Sequence, residues 1–230
     1  MEKITVAIDG FSSTGKSTIA KQLALKLAYV YVDSGAMYRA VTLFAMDKGY
    51  VSENNFLKDE LINSLDFIHL KFIFNEELGF SEIYLNNKNV EKEIRTLEVS
   101  SFVSTIAEVS EVRRKLVEQQ QKMGFAKGVV MDGRDIGTVV FPNAELKLFM
   151  TASAEKRAQR RYDELIERGD KVSFYDILQN VQHRDHIDST REDSPLVKAD
   201  DAIEIDNSNL SLEEQFEMVY LLALDKISSI

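Results

Sequence analysis

The chain has 230 residues, is 44 % hydrophobic and carries a formal net charge of −10; this is apolar material for one main domain with insertions, and too much negative charge for wrapping along nucleic acid by phosphate contacts. The absence of cysteine excludes disulfides and cysteine-ligated metals. No leader pattern or long apolar run points to export or a membrane, so a soluble, cytoplasmic protein with no nucleic-acid or membrane partner is expected.

From the N-terminus, Ile4–Ile8 reads as a buried strand and runs into Gly10-Phe11-Ser12-Ser13-Thr14-Gly15-Lys16-Ser17, which fits the phosphate-loop pattern G-x-x-x-x-G-K-[ST] at every fixed position. Ser17–Ala28 follows with Ile19, Leu23 and Leu27 at helical spacing, so its N-terminus points at bound phosphates. A chance glycine-rich turn would lack that strand-and-helix context. Gly10–Thr18 is therefore the expected nucleotide-phosphate site, with Lys16 as a mobile cation and Ser17 as a magnesium ligand. A second strand, Tyr29–Val32, leads into Asp33-Ser34-Gly35-Ala36-Met37-Tyr38-Arg39, where Ser34 can cap a helix reaching Lys48 and Arg39 can help hold an anion. Taken alone, an ordinary cap followed by a surface arginine would look the same.

Leu65–Phe74 and Phe80–Leu85 then read as strands of a small antiparallel insert, with Phe67, Phe72 and Phe74 as its core rather than a base-stacking platform. One helix is expected over Leu97–Gln121. Val129–Met131 is an apolar strand ending in Asp132, the arrangement that puts an acid beside magnesium in phosphate-loop enzymes, and Arg134 and Asp135 add a phosphate donor and a base reader. Strands Leu146–Met150 and Ala202–Ile205 alternate with helices Ala154–Arg168, Phe174–Ile187 and Leu212–Lys226. This is the pattern of an α/β fold: a five-stranded parallel sheet of the phosphate-loop NTPase type, with helices on both faces, the β insert and a helical lid. The phosphate loop, Asp33-Ser34 and Asp132–Asp135 all begin at carboxyl ends of strands, where such sheets bind ligands, and are expected to converge.

Six of the eleven arginines fall between Arg157 and Arg191, a basic cluster in an acidic chain. Arg157, Arg160 and Arg161 share a helix face and can neutralise donor phosphates, although pairing with Glu155 or Glu164 would make the same face a solvated salt-bridge lattice. Gly169 ends that helix and gives the lid a hinge. His183-Arg184-Asp185-His186-Ile187-Asp188 has metal-ligating residue types but reads as a polar helix face; Arg184, Asp188 and Arg191 alternate in charge along it and can clamp a substrate phosphate and base.

With these residues assembled, the chain resembles the bacterial cytidylate kinases, phosphate-loop enzymes that phosphorylate CMP and dCMP with ATP. Asp33–Arg39, Glu93-Ile94-Arg95-Thr96, Asp132–Pro142 and Arg184–Pro195 carry the resemblance along nearly the whole chain. It implies an acceptor pocket at Asp33, Ser34 and Arg39; cytosine and α-phosphate contacts at Ser104 and Arg113; and roles for Arg134, Asp135, Arg184, Asp188 and Arg191 in binding CMP, with Asp188 on the sugar. It also implies a core of 1–62 and 96–230 with a lid about 157–175, a β insert at 63–95, ATP and Mg²⁺ as donor and cofactor, and a monomer. The family often has proline and glycine where this chain has Phe11 and Ser13. The rivals are a kinase for UMP, AMP or shikimate, and a nucleotide-dependent switch.

Overall fold

The computed structural model describes residues 2–229. In chain order its elements begin with β1 (Thr5–Gly10), α1 (Lys16–Leu27), β2 (Val30–Asp33), α2 (Ser34–Asp47), β3 (Val51–Ser52), β4 (Asn55–Phe56), α3 (Lys58–Asn63), β5 (Leu70–Asn75), β6 (Phe80–Leu85) and β7 (Lys88–Asn89). They continue with α4 (Leu97–Ala107), α5 (Ser110–Gly124), β8 (Val129–Gly133), β9 (Leu146–Thr151), α6 (Ala154–Glu167), α7 (Phe174–Thr190), β10 (Ile203–Asp206) and α8 (Leu212–Ser228). Two compact units result: one combines the residues up to Tyr31 with those from Gly124 onward, and the other is Val32–Met123.

The first unit is built on a five-stranded sheet in the order β10-β9-β1-β8-β2. Its central strand, Thr5-Val6-Ala7-Ile8-Asp9-Gly10, is buried throughout, as an apolar strand in a parallel sheet covered on both faces must be. It pairs in parallel with β8 and β9, placing Ile8 opposite both Asp132 and Leu148. Ile4, Val6, Ile8, Leu23, Val130, Leu146 and Val219 pack into one core that α1 and α8 help cover. Gly10 ends β1 at φ 144°, and a Cβ there would lie 2.0 Å from the Met150 carbonyl oxygen, so only glycine lets the chain leave the sheet at this point. Helices α6 and α7 bury Ala158, Leu165, Ile177 and Val181 against each other in a separate small cluster.

The second unit has its own core, in which Met37, Val41, Phe44, Leu61, Ile83, Ile94 and Ile106 are buried together. Its three-stranded antiparallel sheet runs β5-β6-β7. Asn86 and Asn87 turn the second hairpin with φ of 49° and 70°, the paired left-handed geometry of a two-residue turn whose twist matches its strands.

The helix expected over Leu97–Gln121 is two helices: α4 stops at Ala107, α5 starts at Ser110, and the Arg113 guanidinium donates to the Ala107 carbonyl oxygen at 3.2 Å. The first insert strand begins at Leu70, because Leu65–Phe67 forms a 3-10 turn. Only Phe72 of the three insert phenylalanines packs against the buried core; Phe67 and Phe74 are exposed, the latter one pair from the open turn of the β5–β6 hairpin.

Candidate active site

The phosphate loop leaves β1 at Gly10 and enters α1 at Lys16. It turns through Ser13 at φ 59° and Gly15 at φ 87°, so Ser13 takes the left-handed conformation that glycine adopts at less cost. The Phe11 ring stands edge-on to Phe149, with the Arg157 guanidinium 5.1 Å from its centroid. Lys16 Nζ donates to the Phe11 carbonyl oxygen at 2.6 Å and to Thr14 Oγ1 at 3.3 Å. Burial pulls the Lys16 ammonium below its usual range, with Arg134 adding to the effect and Asp132 and Asp9 opposing it; a bound polyphosphate would restore the charge.

Asp132, the last residue but one of β8, has both carboxylate oxygens engaged. Ser17 Oγ donates to one at 2.8 Å and the Tyr31 hydroxyl to the other at 2.8 Å. A hydroxyl and a carboxylate this close are hard oxygen donors of the kind magnesium takes. One strand over, Asp9 accepts the Ile136 and Gly137 backbone N–H groups at 2.8 and 2.7 Å, tying the end of β1 to the turn that follows Asp135. Burial pushes Asp9 up to about 7 despite those two donors.

The basic cluster divides by the partners its members hold. Arg134 Nε donates to Asp188 at 2.8 Å. Burial opposes both charges, yet the pairing wins: Arg134 is held above its usual range by Asp188, and Asp188 below its own by Arg134, Arg184 and Arg191. Arg191 lies 3.8 Å from Asp188 and donates twice to the Ser194 carbonyl oxygen. Arg157 is buried, forks onto Asp185 at 2.9 and 2.5 Å, and donates to the Ala152 and Ser12 carbonyl oxygens. Arg160 donates to Asn207 and to the Thr14 carbonyl oxygen, whereas Arg161 pairs with Glu164. The three therefore have different partners: Arg157 and Arg160 reach the phosphate loop's backbone, and Arg161 carries the pairing expected of a salt-bridged face.

In the second unit Asp33, rather than Ser34, caps α2, accepting the Ala36 N–H at 2.8 Å. An aspartate in extended geometry just before the first helical residue outcompetes a serine already inside the turn. Its other oxygen takes Arg39 at 2.9 Å and Arg95 at 3.3 Å, and Arg95 also pairs with Glu91. Ser34 is buried at the start of α2 and Ser104 on α4. Arg113 on α5 is also buried, with its guanidinium 5.6 Å from the Tyr38 ring centroid.

Sequence reasoning missed Asp9, Tyr31 and Asn207. Asp9 and Tyr31 belong to buried strands whose polar members carry no motif, and Asn207 follows the last strand with no pattern around it. Arg95 had a signal in Glu-Ile-Arg-Thr but was given no role.

A parallel sheet whose central strand ends in a phosphate loop, with a hydroxyl–carboxylate pair beside it and arginines gathered on the following helices, defines a phosphate-loop nucleotide-binding protein. The cytidylate kinase family model matches residues 6–223, and the chain belongs to that family. It is 68 % identical over 227 residues to a cytidylate kinase of Flavobacterium johnsoniae, covering 99 % of both chains. It is 64 % identical to that of Flavobacterium psychrophilum over the whole of both, and 59 % identical to that of Bacteroides fragilis, covering 94 % of this chain and 95 % of the relative.

Proposed function

We infer that this enzyme transfers the γ-phosphoryl group of ATP to CMP or dCMP, releasing ADP and the nucleoside diphosphate. The family match over residues 6–223 carries this reading, and the intact phosphate loop with Ser17 on Asp132 supports it. An oxygen of the acceptor's phosphate attacks the γ-phosphorus, the bond to the β–γ bridging oxygen breaks, and that oxygen leaves on ADP. The attacking oxygen is already ionised at neutral pH, so no strong general base is required.

In this account the loop amides of Gly10–Thr18 and Lys16 hold the donor phosphates. Ser17 directly and Asp132 through water would hold Mg²⁺, which supplies charge neutralisation on the donor oxygens. Arg157 and Arg160 fix the loop, and Arg161 turns to the migrating group when its contact with Glu164 gives way. On the acceptor side, Arg39 with Asp33 and Ser34 takes the phosphate region, Ser104 and Asp135 read the cytosine amine, Arg113 and Arg134 hold phosphate oxygens, and Arg184, Asp188 and Arg191 secure phosphate and sugar. The domain reading is a core of 1–62 and 96–230, a lid about 157–175 and an insert at 63–95. In this account the enzyme works as a cytoplasmic monomer without nucleic-acid or membrane partners.

The test is ADP release from Mg-ATP with CMP, dCMP, UMP, AMP or shikimate as acceptor. Turnover is expected with CMP and dCMP, and Lys16→Ala should lower it by about 100-fold or more, the scale of losing a charged transition-state contact. Preference for another acceptor, or turnover indifferent to all of them, would overturn the reading.

A further inference from the structure

Beyond the residues that meet the nucleotides, we propose that Asn207 is a positioning residue for the donor: it sets the phosphate loop by holding the Thr14 carbonyl oxygen. Asn207 directly follows β10 and its side chain is fully buried. Its amide nitrogen donates to the Thr14 carbonyl oxygen at 2.6 Å and to Gln215 Oε1 at 2.7 Å, while its amide oxygen accepts Arg160 Nη1 at 2.9 Å. Two acceptors and one donor around the group fix which end is nitrogen and which oxygen. The Asn207 carbonyl oxygen accepts Arg160 Nη2 at 2.8 Å and its N–H donates to the Thr151 carbonyl oxygen at 2.9 Å, so the backbone that carries the amide is fixed as well.

In a trans peptide the carbonyl of one residue and the N–H of the next point in opposite directions, and the described residues contain no cis bond. Anchoring the Thr14 oxygen toward Asn207 therefore aims the Gly15 N–H away from it. Gly15, at φ 87°, resists the opposite flip only weakly without such an anchor, because glycine is free in this region. Arg157 does the same for the preceding turn by donating to the Ser12 carbonyl oxygen at 3.2 Å. Asn207 is the better placed of the two: a single buried amide joins the loop to Arg160 on α6 and to Gln215 on α8.

This inference rests on the kinase reading, so binding of a non-hydrolysable ATP analogue to the full chain is measured alongside CMP-dependent turnover. Asn207→Ala should weaken analogue binding about tenfold, equivalent to one charge-assisted or well-aligned hydrogen bond, and leave the KM for CMP within about twofold. Asn207→Asp keeps an acceptor for Arg160 but has no N–H for Thr14, so it should lose donor affinity to a similar extent even if the alanine variant fails to fold. Gln215→Ala removes the other acceptor of the same amide and retains the Thr14 bond; it should lower Tm while analogue affinity stays within about twofold. Asn207 variants that lose Tm but bind the analogue normally would overturn the proposal, as would an Asp variant with wild-type affinity or a Gln215→Ala loss of affinity equal to that of Asn207→Ala. Failure of wild-type protein to turn over CMP while binding the analogue would strike the kinase reading and leave this test intact.

Discussion

Asp9 shows how one side chain can carry opposing demands. Both oxygens are used by backbone N–H groups, which favours the carboxylate, while burial pushes the proton back on and raises the group to about 7. In the unfolded chain an aspartate titrates near about 4, so between that value and about 7 the folded state holds a proton the unfolded state has released. Stability contributed at Asp9 is present below the unfolded value and is lost as pH rises through the folded one. Asp188 has the opposite sign: its lowered value gives stability present above the unfolded value and lost as pH falls through the folded one. Asp9→Asn would turn an amide NH₂ toward one of the two backbone donors, costing about 1–3 kcal/mol in urea unfolding near neutral pH, and would flatten the decline in stability from mildly acid to neutral pH. A decline of the same slope in the variant would assign it to another group.

At the scale of the element, the sequence was informative wherever periodicity and a boundary signal coincided. The strand–loop–helix start was readable because Gly10 and Gly15 mark its corners, and the strands through Val129 and Leu146 because continuous apolar runs stand out between helices. The α4–α5 break was not readable: Glu108-Val109-Ser110 contains neither glycine nor proline, and Val109 and Val112 stay buried, so the apolar pattern runs through the gap. The cap at Asp33 and the brace at Asn207 depend on which partner lies across the fold, something no local pattern encodes. Turn chemistry is more local. Asn87 sits at φ 70° in the β6–β7 turn, and Asn87→Gly, the pairing that such turns favour, should stabilise the protein by a few tenths to about 1 kcal/mol. Thermal unfolding checks this, and a lower Tm would mean that the Asn87 side chain contributes more than its backbone costs.

At the scale of the whole molecule, the acidic surface and the arginine cluster divide the work. A net charge of −10 disfavours stray polyanions, while Arg134, Arg157, Arg184 and Arg191 stay partly or fully buried against Asp185, Asp188 and backbone oxygens. These four arginines thus form a local concentration of positive charge inside a chain of net negative charge. Because the acceptor's own oxygen is the nucleophile, water should be a poor substitute. ATP hydrolysis without CMP is expected to run at least about 100-fold below transfer, measured as ADP release with and without acceptor. Comparable rates would indicate a nucleotide switch.

The central strand of the sheet also fixes an order of events during synthesis. β1 is made first, yet its partners, β8 and β9, begin only at Val129, with the entire Val32–Met123 unit between β1 and both of them. A chain leaving the ribosome therefore carries an apolar, unpaired strand and an unformed phosphate loop while the intervening unit, continuous in sequence and with its own core, can already fold. The contacts that hold the phosphate loop from Arg157, Arg160 and Asn207 come from the last third of the chain, so a product cut short before them would carry the loop without its braces.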